Sequence, residues 1–546
     1  MNEITKTAIF AFLAITLVAG AFLSRPTTRE FKPEEMVGAL LFPQFTNPLD
    51  ITSLEIVRMD AAGGRHEFRI AEVNGIWSIP SHDNYPADAR DQMGRVAEAL
   101  TDLRVLEVIQ PEMGGADQIA FQTQYGVIDP SDTTAFGEGV GIRITLGGAN
   151  NETLVNLIIG RSVEQRLPHD MMDEDEHEGL RYVRIANQSP IYVVTIDPSH
   201  FTTRFDQWIE RNLLDISTFD IRTVFVDQYS ISIEPVRTML GIQLQLAPLF
   251  IGDFTLGYDA SAVGADKWSL IRWMKFEEHN SNYREQQLGP NRELNTDTLD
   301  TMVSALHDLR IVDVLRKPAG FAAALREGKK FEDIVLDDMI LESMEQTGFW
   351  LVTIRDVRAE DSSTAPHVTQ LLSNEGDMQL RLRDGVVYNL RFGDLTGTTT
   401  EVAAADAFDS EPTVLSNRFL FITAEFDPAI IPLPELRDVA GIPDDEIEAI
   451  ERANQREQER YDAAVERGQR RALELSDRFA DWYYVISDDV YRRIHLTEEN
   501  VFRFRVPELD DIGSIWDANI LDLSPITSPP SVDHLLDLPM VDFEWD

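Results

Sequence analysis

The chain of 546 residues contains no cysteine, which excludes disulfides, iron–sulfur clusters, cysteine-ligated zinc and thiol nucleophiles together. The compartment stays open, because a cysteine-free chain tolerates oxidising and reducing surroundings alike. Positive charge is scarce: 48 Lys and Arg stand against 94 Asp and Glu, a formal net charge of -46. No cluster of Lys and Arg interrupts that field, so a phosphate backbone is repelled and nucleic acid is not an expected partner. The acidity reads otherwise as solubility or a saline habitat, or as a docking surface for something basic. Catalytic signatures are missing too. There is no Walker or dinucleotide glycine pattern, no G-x-S-x-G elbow and no His-Glu-x-x-His. Among so many acids, a pair of carboxylates says nothing about acid–base chemistry. No residue is singled out as catalytic, cofactor-binding or metal-ligating.

The composition that remains is that of globular protein, 43% hydrophobic and 9% aromatic, and the length is too great for one compact core. Residues 1–30 carry an almost unbroken apolar run from Ala8 to Leu23, with Lys6 before it and Arg25 after it. Its 16 residues are short for a spanning helix and long for a signal-peptide core, and Ala19-Gly20-Ala21 resembles a cleavage site. Both readings target a membrane, and an uncleaved anchor is the one adopted. Lys6 against Arg25, Arg29 and Lys32 favours a cytoplasmic body if the charge rule is read literally. The signal-like appearance of the run favours an exported one.

The centre of the chain repeats itself. Residues 99–109 read ALTDLRVLEVI and residues 305–315 read ALHDLRIVDVL, aligned without a gap. Gly75-Ile-Trp77 precedes the first, and Lys267-Trp268 the second. Phe205-Asp-Gln-Trp208 follows the first, and Phe479-Ala-Asp-Trp482 the second. So long a period implies duplicated domains and not a short-period solenoid. Within the first copy, the residues from His66 read as two strands around Asn74-Gly75, a turn in which both residues tolerate positive φ. Met93, Val96, Ala97, Leu100 and Leu103 then share one face of a helix; Leu299, Met302, Leu306 and Leu309 do so in the second copy, after Thr296 as cap. Strand-like runs follow from Gly141, Thr153, Leu180 and Ile191, and in the second copy a hairpin from Gln379 turns at Asp384-Gly385. A closing helix carries Phe205 and Trp208, or Phe479 and Trp482.

The expectation is therefore an α+β fold: two tandem diverged repeats, each a mostly antiparallel sheet with two or three helices, after an N-terminal membrane helix. The repeats take residues 50–217 and 218–506. A polar helical insertion lies at about 437–475, with a thin apolar stripe of Ile447, Ile450, Tyr461 and Val465. Residues 507–546 form a tail with five prolines, ten acids and no Lys or Arg. The cluster from His169 to Glu178, with Asp173, Asp175 and His177, is dense in oxygen and imidazole ligands. It lacks the order of a calcium loop and reads first as a charged hairpin loop.

These residues, in this order, resemble the bacterial domain-of-unknown-function 4340 family. The likeness is carried by Gly75-Ile-Trp77, Ala87-Asp88, Leu100 to Leu103, Tyr125-Gly126-Val-Ile-Asp-Pro130, Ile159-Gly160, Tyr182-Val183 and Trp208. The second copy departs from it where the Tyr-Gly step becomes Thr347-Gly348-Phe349. The resemblance implies a membrane-anchored, non-enzymatic envelope component. It would sit in the bacterial inner membrane by a single pass, with its body facing the periplasm and a component of an ABC-type transporter of the gliding-motility kind as protein partner. Two other functions fit the residues: an anchored hydrolase with paired carboxylates in a cleft between the repeats, and a divalent-ion binding module at residues 169–178.

Overall fold

The computed structural model describes residues 36–505, apart from 60–63, 111–115, 133–138, 164–178, 239–240, 280–281, 356–365, 397–399, 403–412 and 441–442. The apolar run Ala8–Leu23, the cluster 169–178 and the tail 507–546 lie outside the described residues. Among those described, no helix is long and apolar enough to cross a membrane.

The fold is α+β, with two nine-stranded antiparallel sheets. The first is built from β1 (Ser53–Met59), β2 (Arg65–Val73), β3 (Ile76–Ile79), β4 (Tyr85–Pro86), β5 (Glu107–Ile109), β6 (Ile142–Gly147), β7 (Thr153–Ser162), β8 (Leu180–Ile185) and β9 (Ile191–Thr195). The remaining strands are β10 (Ile221–Thr238), β11 (Gly241–Tyr258), β12 (Trp268–Glu277), β13 (Asn282–Glu285), β14 (Arg292–Leu294), β15 (Asp313–Arg316), β16 (Phe349–Arg355) and β17 (His367–Ser373). After these come β18 (Asp377–Leu382), β19 (Val386–Leu395), β20 (Thr400–Val402), β21 (Thr413–Leu415), β22 (Asn417–Phe426), β23 (Trp482–Ser487) and β24 (Phe502–Phe504).

Strand order in the first sheet is β4-β3-β2-β1-β6-β7-β8-β9-β5, and in the second β13-β12-β11-β10-β18-β19-β22-β23-β15. The two orders superpose strand for strand, and the registers agree. Leu54 faces Ile70 and Leu146 as Val224 faces Leu256 and Leu380. Glu107 pairs with Val193 as Asp313 pairs with Val485. The helices Arg90–Thr101 and Thr296–His307 occupy the same place in each half and end in the repeated segments. All nine residues assigned to their apolar faces are buried, each contributing about 1.5–3 kcal/mol where the side chain is large. Trp77 and Trp268 are also equivalent, since they oppose Glu72 and Tyr258 at matching points.

Local chemistry explains the turns. Asn74 and Gly75 adopt φ of 55° and 80°, the two-residue turn that matches strand twist. At Asp384-Gly385 only Gly385 has positive φ, so a three-residue connection turns this hairpin. Asn295, not Thr296, is the residue before the second helix, and its amide donates to Thr298 Oγ1 at 2.7 Å.

Two sequence expectations need correction. Phe205 and Trp208 follow β9 on a short 3-10 turn, whereas Phe479 and Trp482 flank the start of β23, the counterpart of β9. The two Phe-x-x-Trp pairs are thus not equivalent; buried aromatics at turn spacing produced the echo. The helical stretch at 437–475 and the closing helix of the second copy are one helix, Asp444–Ala480, because no breaker separates them. It has 37 residues and is about 55 Å long.

Both halves contribute to one core. Where they meet, Tyr85 packs edge-on to Trp482 at 5.0 Å, and Arg316 Nη1 donates to the Asp83 carbonyl at 3.0 Å. The outer face of the first sheet is covered by the helix Ala116–Tyr125 over Val127, Ile158 and Ile191. That of the second is half covered by the helices Ala319–Arg326 and Asp338–Gln346 and the β16–β17 hairpin, around Phe321, Phe349, Phe421 and Tyr483. Beyond Asp227 and Gly252, β10 and β11 pair only with each other and run on as a ribbon.

Candidate functional site

A row of polar residues crosses the outer face of the second sheet. Asp253, Asp227, Asp377 and Arg391 oppose one another directly across β11, β10, β18 and β19. Three carboxylates side by side repel and cost sheet stability, so the row is held by other interactions. Asp253 is almost fully buried and has Arg272 Nη2 at 3.5 Å. Asp377 Oδ1 accepts from Tyr229 Oη at 2.7 Å and from Ser373 Oγ at 3.1 Å, and its Oδ2 lies 3.4 Å from Arg391 Nε. Burial, and then the charge of Asp377, push the Tyr229 phenol well above its ordinary value, so it stays a donor.

Asp227, Asp377 and Arg391 form part of the floor of a cleft of about 310 Å³. β17 makes one wall through Thr369–Leu372, and Phe331 and Phe225 supply aromatic surface. The Arg391 guanidinium lies 5.6 Å from the Phe331 ring centre, and its Nε donates to the Leu371 carbonyl at 3.3 Å. Its Nη1 is buried and finds no acceptor among the described residues. Gln379 and Asn389, also in the lining, are bonded to each other at 2.8 Å. The first sheet has no such row: register places Glu67, Val57, Arg143 and Ile158 at the corresponding points. The cleft lies within the second sheet's own layer and not between the two halves.

Other charged groups are consumed by the fold. Arg418 Nε donates to Asp488 Oδ1 at 3.1 Å, both buried, with the Tyr491 ring 4.1 Å from the guanidinium. Arg184 donates to the carbonyls of Val127, Ala186 and Gln188. Among the described residues, no three His, Asp or Glu side chains are grouped closely enough to hold a metal ion. The helix Asp444–Ala480 adds a shallow surface lined by Arg456, Glu459, Arg460, Ala463 and Arg467.

Nothing in the sequence singled out the cleft. Its signals were Asp227, Asp253 and Asp377, each interrupting an apolar strand, but their convergence depends on a register no single segment encodes.

Residues 77–326 match the family described as a domain of unknown function (DUF4340). No curated protein and no solved structure matches the chain.

Proposed function

Because the chain belongs to the domain-of-unknown-function 4340 family, we propose that it is a non-enzymatic, membrane-anchored envelope protein serving an ABC-type transport system through protein–protein contacts. On this reading the halves are diverged copies of one domain. The apolar run Ala8–Leu23 tethers them to the bacterial inner membrane, and the body faces the periplasm. The observation that carries the proposal is the asymmetry between two otherwise superposable sheets. The second half alone extends its central hairpin into a ribbon and adds the 37-residue helix. The last turns of that helix pack on the body through Ala472, Leu475 and Phe479, while no described residue between Glu446 and Arg467 is buried. A long, charged helix held at one end adds little to a core and much to contact area.

The test is site-specific photocrosslinking in native membranes, with the probe at Glu459 or Arg467. The expected product joins this chain to the permease or ATPase subunit of an ABC transporter, and deletion of 446–466 abolishes it. Recovery of the transporter at equal yield from the deletion variant would remove the helix from the proposal. Absence of any transporter subunit from every probe position would remove the transport role.

A further inference from the structure

We propose that the cleft over β10, β18 and β19 binds a small neutral polyhydroxyl ligand, about one sugar ring in size. The volume, about 310 Å³, is at the lower end of the range in which small-molecule sites fall.

The class follows from the charges and valences of the lining. A purely apolar ligand would cover the two carboxylates and the guanidinium of the floor and offer them no polar partner. An anion would be drawn to the Arg391 guanidinium but would meet the carboxylates of Asp227 and Asp377 on the same floor. An ammonium group would be drawn to the carboxylates but, as a donor only, would bring a second positive charge beside the Arg391 guanidinium with nothing to accept from it. A divalent ion lacks three grouped ligands among the described residues. An uncharged ligand that accepts from one neighbour and donates to another fits all four constraints. Hydroxyl groups do both. Phe225 and Phe331 offer apolar surface to the C–H side of such a ring, and Gln370, at the exposed rim of β17, supplies a further donor and acceptor.

This inference is independent of the transport proposal, since a saccharide site would stand whether or not a transporter is the partner. The test is ligand-observed NMR and calorimetry on the full chain in a detergent without a sugar headgroup. The probes are glucose, N-acetylglucosamine and maltose, with glutamate, lysine, inorganic phosphate and calcium as comparison. Saturable binding of at least one saccharide is expected, weakened about tenfold or more in Arg391→Met. Because Arg391 also bonds to Leu371, a second variant, Gln370→Trp, fills the cleft from its exposed rim and abolishes binding at an unchanged melting temperature. Three outcomes overturn the proposal: no saccharide binds at millimolar concentration, a charged comparison ligand binds more tightly than any saccharide, or Gln370→Trp leaves saccharide binding intact.

Discussion

The carbonyl oxygen of Tyr125 occupies the space in which a side chain on Gly160 would begin. The segment 125–128 lies against β7 by virtue of that missing Cβ, and Gly126 turns it there with φ of 72°. The second half repeats the device. The Thr347 carbonyl sits where a Cβ on Gly393 would lie, and Gly348 has φ of 80°. The Tyr125-Gly126 and Ile159-Gly160 steps, which carry part of the family likeness, therefore serve packing, and the altered Thr347-Gly348 step preserves their geometry. Gly160→Ala and Gly393→Ala should each lower stability by about 1–3 kcal/mol, the usual cost of overpacking. Urea unfolding checks this. A value near zero for either glycine would show that its neighbouring carbonyl moves aside freely.

Trp208 is fully buried, 5.9 Å from the Phe68 ring, with its Nε1 donating to the Thr202 carbonyl at 3.0 Å. Truncating it removes a large apolar volume and orphans a carbonyl. Trp208→Ala should cost about 3–5 kcal/mol. Chemical denaturation reads the loss, and a midpoint within error of the parent protein would contradict core placement.

Much of this architecture was legible because the signals were local. Asn74-Gly75 names its own turn, and the periodicity from Met93 to Leu103 names a buried helix face. The gapless pair 99–109 and 305–315 works because the helix and its connection to the following strand keep one length in both halves. What failed depended on longer range. Phe205 to Trp208 resembles Phe479 to Trp482 only in letters, since a tight turn and a helix end both bury aromatics three apart. The row Asp253, Asp227, Asp377 and Arg391 comes from four strands, and none of them alone signals that its polar residue meets the others. Phe331, from a 3-10 turn with no periodic signal, completes the cleft.

His82 and His495 are both held below the ordinary imidazole value of 6.5, chiefly by burial. His82 stacks on Phe205 at 4.5 Å and lies 3.6 Å from Asp313 across the junction of the halves. An unfolded histidine takes up its proton near 6.5 and the folded protein resists it. Stability from this source is thus complete above 6.5 and declines as the pH falls through that value toward the lower folded pKa. Asp313, raised above 3.8 by burial, acts in the opposite sense at lower pH. Between about pH 7.5 and about pH 5.5 the melting temperature should therefore fall, and fall less steeply in a His82→Asn, His495→Asn double variant. Parallel slopes would show that neither imidazole resists protonation.

Lys317 is fully buried: its Nζ donates to the Phe479 carbonyl at 2.9 Å and lies 4.2 Å from the Phe421 ring centre. It thereby caps the last turn of the 37-residue helix, where positive charge is favoured by the aligned peptide dipoles. Burial nevertheless holds its ammonium well below the ordinary 10.5, with the charge of Asp481 acting in the opposite direction. The folded protein gives up this proton more readily than the unfolded chain does. Stability rises with pH from the folded pKa up to 10.5, and below the folded pKa the cost of the buried charge is present in full. Lys317→Met keeps most of the volume, removes the charge and leaves the Phe479 carbonyl without this donor. Replacing a buried charge by an apolar side chain of similar size is often neutral or stabilising. The variant should therefore melt no lower than the parent at about pH 7 and should lose the parent's gain between about pH 8 and pH 10. Calorimetry across that range decides it. A variant that melts far lower at neutral pH, or whose curve tracks the parent's slope, would place the stabilising role in the ammonium and not in the packing around it.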